Sequence, residues 1–275
     1  MEGTGKERTA TLSVPDGTDV RFKVTEGSWF RQAVDEACNP FPDASVIVRE
    51  DTTHRLTVPR FRGPAEECPW PDPLRWEDDI VAFETVDKKV PVPSGLLLAV
   101  GSSTMVGWHA TIQKDLAPLK VVPRGFGGSN MNDLVHYIPR VVFPYKPSAI
   151  LVYQGDNDLA AGIHAATVVK KFREFIWRVG QELPEVPILF LAVKPSESRW
   201  DLRPAQQEVN AGLQALAAEY PHVKFIDIAT PLLGTDGKPR AELFQGDKLH
   251  LNAAGYEVLT EAVRPHLPPQ APVKR

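Results

Sequence analysis

The chain has 275 residues, a formal net charge of -4, 24% charged residues and 43% hydrophobic ones. Such a profile belongs to an ordinary globular protein, long enough for one large domain or for a medium domain with a small companion, and its mildly acidic balance speaks against nucleic acid as a partner. The first residues are polar and acidic and no apolar run nears the ~20 residues that span a bilayer, so the sequence predicts no membrane insertion and a cytoplasmic chain, or the mature form of an exported one.

From residue 9 to residue 59 the pieces are short. "TATLSV", an Asp-Gly turn in "PDGTD", "VRFKVTE", a helical "SWFRQAVDEAC", "ASVIVRE" and "HRLTVP" predict a small β-rich ββαββ unit of β-grasp type. Cys38 and Cys68 are the only cysteines, without Cys-x-x-Cys spacing, and read as ordinary thiols, a single bridge being the alternative. "RGPAEECPWPDP" holds four prolines in a dozen residues and reads as a stiff linker. It divides the chain into residues 1–70 and residues 71–275.

The second part opens with a helical pattern over 74–89, whose Leu74, Ile80, Val81, Phe83 and Val86 fall on one face. Five apolar runs follow, "GLLLAVG", "LKVVP", "SAILVYQG", "PILFLAV" and "VKFIDI", separated by amphipathic segments such as "AATVVKKFREFIWRVGQEL" and "PAQQEVNAGLQALAAEY". Nearly all-apolar strands alternating with helices predict a parallel sheet covered on both faces.

Ligands of such sheets bind beyond the carboxyl ends of the strands. There the sequence places Gly101-Ser102-Ser103-Thr104, "RGFGGSN", Gly155-Asp156-Asn157-Asp158 and, before the last helix, "FQGDKLHLNAAGY". Each alone is a turn or a helix cap, with Ser129 the natural cap of the helix that follows it. Together they fall where one pocket would form. A serine hydroxyl needs an imidazole to take its proton, and of seven histidines His250 has a carboxylate, Asp247, three residues ahead of it. The N–H groups of Ser103 and Gly128 and the Asn157 amide would offer donors to an oxyanion.

"VGSSTMVGW", "RGFGGSN", "YQGDNDL" and "GDKLHLNAAGY" resemble, in order, the four signature blocks of the SGNH hydrolase superfamily, the GDSL-type esterases. The resemblance spans about residues 75–267. It implies a three-layer α/β/α flavodoxin-like sheet, no metal or organic cofactor, and a small-molecule ester as substrate. It also implies Ser103 as nucleophile, Asp247 and His250 as its partners, and an oxyanion hole of Ser103, Gly128 and Asn157. Ser102 stands where the family has aspartate.

Trp108 and Phe126 are the candidates for lining the substrate pocket, core packing being their other reading. Asp156 and Asp158 read as turn and cap residues rather than metal ligands, and His109 as a helix-surface or pocket residue. A catalytically silent binding protein, or a lysophospholipase, thioesterase or acyltransferase on the same fold, is the alternative function. "RGFGGSN" lacks the spacing and the lysine of a phosphate loop. For the N-terminal unit the sequence leaves open carbohydrate binding, a wall of the site, self-association into a homo-oligomer or plain packing.

Overall fold

The computed structural model describes residues 9–26, 32–35, 38, 44–63 and 67–268. They fall into two compact units, residues 1–64 and residues 65–275.

In the first unit, β1 (Asp19–Phe22) follows a tight turn in which Thr18 donates its N–H to the Pro15 carbonyl and Gly17 takes a φ of +82°. β2 is Ala33–Val34, β3 Ala44–Ile47 and β4 Arg60–Phe61; β1 pairs antiparallel with β3, and β2 with β4. The unit is β-rich but departs from ββαββ. Of the helix expected over 28–38, Ala33–Val34 is instead extended, because Ala33 donates to the Val24 carbonyl and the pair joins β4. The remainder of that stretch lies partly outside the described residues. Residues 10–14 and 52–58 form no strand. Cys38 and Cys68 are both disulfide-bonded rather than free thiols.

In the second unit a 3-10 turn at Pro73–Trp76 leads into α1 (Glu77–Lys89). Ile80 is its single fully buried residue, while Leu74, Val81 and Val86 are exposed, so the expected apolar face is not the packed one. Charge secures this helix instead: Glu77 and Glu84 both bind the Arg140 guanidinium, at 2.7 and 2.6 Å.

Then come β5 (Leu97–Gly101), α2 (Ser103–Trp108), α3 (Ile112–Asp115), β6 (Val121–Gly125), α4 (Met131–Val141), β7 (Ala149–Tyr153), α5 (Asp156–Ala160) and α6 (Ala165–Glu182). β8 (Ile188–Leu191), α7 (Arg203–Glu219), β9 (Val223–Ile226) and α8 (Ala253–Val263) complete it. All five strands are parallel, in the order β6-β5-β7-β8-β9. This is the flavodoxin-like order, with helices on both faces.

Side chains alternate across each strand. Leu97, Ala99, Leu151, Tyr153, Leu189 and Leu191 form one core layer with Met105 and Trp108 of α2 and Tyr256, Leu259 and Val263 of α8. On the other face Phe190 packs edge-on against Phe172 of α6. The chain leaves β5 toward β6 and later returns to β7 on its other side, which opens a crevice at the carboxyl ends of β5, β6 and β7. All the singled-out blocks but the last lie at those ends.

Candidate active site

β5 ends on Gly101, whose φ of +146° and closeness to β7 exclude a side chain: a Cβ there would stand 2.2 Å from the Tyr153 carbonyl oxygen. Ser102 is buried, and its carbonyl accepts the N–H groups of Met105 and Val106, starting α2. Ser103 is the first residue of that helix. Its N–H therefore has no carbonyl one turn back to bind.

Ser103 Oγ lies 3.0 Å from His250 Nε2, and His250 Nδ1 lies 2.6 Å from Asp247 Oδ2. The other carboxylate oxygen, Oδ1, accepts the N–H groups of Leu249 and His250 at 2.9 and 3.0 Å. Burial alone would raise the Asp247 carboxyl, but the imidazole and these N–H groups outweigh it and hold it down at about 2. The carboxylate is thus anionic at neutral pH, and it fixes Nδ1 as the protonated ring nitrogen, leaving the Nε2 lone pair toward Ser103.

The loop after β6 passes beside the serine, since a Cβ on Gly127 would be 3.9 Å from the Ser103 Cβ. Gly128 has a φ of +88°, which a glycine adopts without strain. Asn130, not Ser129, caps α4: its side chain accepts from the Asp133 N–H at 3.0 Å while Asp133 returns a bond to the Asn130 N–H at 2.8 Å. Ser129 instead accepts from Gln154 through its hydroxyl and from the Asn157 amide, at 3.0 Å, through its carbonyl. That last bond joins the loops after β6 and β7. Buried Asp158 joins them again, accepting from Met131 N–H at 2.8 Å and Gly155 N–H at 3.1 Å.

Trp108 and Phe126, expected as pocket-lining residues, are 0% and 1% exposed and belong to the core. Trp108 stacks on Tyr256 and spends its indole N–H on Asp115, at 2.8 Å; Phe126 lies edge-on to Trp76 and Tyr137. α2 is amphipathic enough to turn Trp108 inward, away from the crevice. His109 is only partly buried, but its Nε2 accepts the Gly125 N–H at 3.1 Å and so braces the start of the glycine loop.

Three residues went unseen in the sequence. Partly exposed Trp76 lies against Gly128, where a Cβ would come 3.2 Å from the indole, and it donates its N–H to Asp133. Lys194, 1% exposed, donates from Nζ to the Leu249 carbonyl at 2.6 Å, and burial pushes its amine down to about 8 despite Asp156 nearby. Arg199 reaches Asp156 and Asn157. A cation just past the apolar run "PILFLAV" was the available signal for Lys194, by the same rule that singled out the other strand ends.

Chemically, the arrangement is a hydroxyl beside an imidazole, with a carboxylate behind the imidazole and the glycine loop after β6 close by. Among the described residues no cluster of three or more His, Cys, Asp or Glu could hold a metal ion, and no helix is long and apolar enough to cross a membrane.

The family model for the GDSL-like lipase/acylhydrolase family matches residues 95–258, well over half of the chain. No curated protein matches the sequence. Among solved structures, a Streptococcus pneumonia protein provisionally described as a platelet activating factor is 21% identical with a TM-score of 0.61, covering 70% of this chain and 93% of its own. A GDSL-like lipase from Bacteroides thetaiotaomicron is 14% identical with a TM-score of 0.58, covering 68% and 96%. A variant of an acetylxylan esterase from Geobacillus stearothermophilus is 16% identical with a TM-score of 0.52, covering 63% and 94%. At these identities the likenesses speak to the fold.

Proposed function

The chain belongs to the GDSL-like lipase/acylhydrolase family and is a carboxylic ester hydrolase, and from that premise we propose that it cleaves small acyl esters through an acyl-enzyme on Ser103. The observation that carries the reading is the unbroken chain from Ser103 Oγ to His250 at 3.0 Å and on to Asp247 at 2.6 Å.

Ser103 Oγ attacks the ester carbonyl carbon while His250 Nε2 takes the hydroxyl proton. Asp247 steadies the imidazolium through Nδ1–H. The tetrahedral oxyanion receives N–H groups from Ser103, Gly128 and the Asn157 side chain. His250 then passes its proton to the leaving alkoxide, which departs as the alcohol. A water molecule, deprotonated by His250, attacks the acyl carbon; the acid is released and the proton returns to Ser103 Oγ.

For the substrate we favour short-chain carboxylic esters or carbohydrate acetyl esters. The fold is shared with an acetylxylan esterase, and the Trp76 indole against Gly128 supplies an apolar wall next to the oxyanion loop. The bonded cysteines also bear on where the protein works. Disulfides persist mainly in oxidising compartments, so they favour an exported protein over the cytoplasmic one expected from sequence.

Hydrolysis of a p-nitrophenyl ester series from acetate to palmitate tests the reading. Short esters should be cleaved, the activity lost in Ser103→Ala and largely kept in Ser102→Ala. Loss in Ser102→Ala with survival of Ser103→Ala would transfer the role of nucleophile to the neighbour. A folded parent chain that neither cleaves these esters nor reacts at Ser103 with a fluorophosphonate would favour the silent binding protein.

A further inference from the structure

An asparagine amide can stand either way round, and only one way serves an oxyanion: with the carbonyl oxygen turned in, the group would repel the developing charge. Asn157 Oδ1 accepts from Arg199 Nη1 at 3.1 Å, and the same nitrogen donates to Asp156 Oδ2 at 2.7 Å. Gln206 holds the other oxygen of Asp156 at 3.2 Å. All three supports are buried, Arg199 to 8% exposure, Asp156 to 5% and Gln206 to 0%.

A guanidinium has donors and no acceptor, and it stays charged at any working pH. An amide beside it can therefore offer only its oxygen. The nitrogen is sent to the opposite side, where it meets the Ser129 carbonyl at 3.0 Å, one residue past Gly128. The segment carrying Arg199 is itself tied to the base loop, through Ser198 N–H and Oγ on the Lys248 carbonyl and Lys194 Nζ on the Leu249 carbonyl.

We propose that Arg199 is a positioning residue of the oxyanion hole, setting which way the Asn157 amide faces while Asp156 holds the guanidinium in place. The proposal rests on the reading of Asn157 as an oxyanion donor, and its test separates the two. It needs kcat and KM on p-nitrophenyl acetate for the parent chain, Asn157→Ala, Arg199→Met, Arg199→Lys and the doubles with Asn157→Ala. Arg199→Lys keeps the charge opposite Asp156 and so guards against a variant that merely fails to fold.

Asn157→Ala should lower kcat by about 10²–10³. Both Arg199 variants should lower kcat tenfold or more, roughly, with KM within about threefold, and should cost nothing further once Asn157 is alanine. Arg199 losses of equal factor with and without the Asn157 amide, or an unchanged kcat, would overturn the proposal while leaving the oxyanion reading in place. An Asn157→Ala enzyme at full speed would instead remove the oxyanion reading, and the proposal with it.

Discussion

The side chains of Asp247 and His250 are 47% and 34% exposed, while across the crevice those of Asp156 and Arg199 are 7% and 10% exposed and Asp158 is fully buried. On the side proposed to carry the base, Lys194 and Ser198 tie the loop from afar, but the Asp247 carboxylate is held by short-range bonds, accepting from backbone N–H groups two and three residues on. The side proposed for the oxyanion is shaped by buried ionisable groups reaching far along the chain: Asp158 to Met131, Arg199 to Asp156 and Asn157. Local, solvent-facing bonds can be removed with little loss of folding energy, whereas a buried charge stripped of its partner is expensive. The two sides should therefore separate catalysis from stability in different proportions.

The sharpest contrast is His250→Ala, expected to lower kcat on short esters by about 10⁴–10⁶ while the melting temperature barely moves. A large drop in melting temperature would show that the base loop is structural after all. Asp247→Asn comes next, at about 10⁴ in kcat, since the imidazole then loses the partner that sets its tautomer. Asn157→Ala is smaller in rate, about 10²–10³, and should in addition lower the denaturation midpoint, because it removes one acceptor of the buried Arg199 and the donor to the Ser129 carbonyl.

The fourth test reads stability against pH. Burial pushes the Asp158 carboxyl up to about 7 and that of Asp133 up to about 6, although N–H donors and, for Asp133, the Arg75 guanidinium pull the other way. Both folded values lie above the unfolded carboxylate range of about 4. Their contribution is thus complete below about pH 4 and is lost as the pH rises through 6 and 7. Urea midpoints should be higher at pH 5 than at pH 8, and Asp158→Asn should narrow that gap. On the base side Asp247 runs oppositely, its contribution present above pH 4 and lost only as the pH falls toward 2. The smallest effect belongs to Glu197→Gln. It dissolves an exposed pair with Lys248 at 2.6 Å, worth about 0–1 kcal/mol, and should leave kcat within about twofold.

The base side was also the more legible in the sequence, for the same reason. Asp247 and His250 lie three residues apart, and a spacing that short is visible in the letters; so was each strand of the sheet, as a largely apolar run such as "AILVY", although β6 and β9 each carry a cation. Lys194 and Arg199 look like any surface cations until the fold buries them against loops some 40 to 55 residues away. Trp108 and Phe126 misled because an aromatic beside a site serves the core as readily as the pocket. On α1 the apolar positions suggested burial, yet two glutamates on Arg140 hold the helix and leave Val81 and Val86 in solvent. In the first unit, two-residue strands such as Ala33–Val34 owe their conformation to a partner strand rather than to any pattern of their own.

Ser103 and His250 are separated by 147 residues, and α8 follows the histidine almost at once, locking onto α2 as Tyr256 donates to the Thr104 carbonyl at 2.9 Å. During synthesis, which proceeds from the amino end, the serine is made long before the imidazole that comes to lie beside it. On the proposed reading, an emerging chain with most of the sheet already formed would carry a hydroxyl with no base beside it. On that reading, hydrolytic power would arrive only when α8 docks on α2, and turnover would in effect report that these distant parts of the chain have folded together.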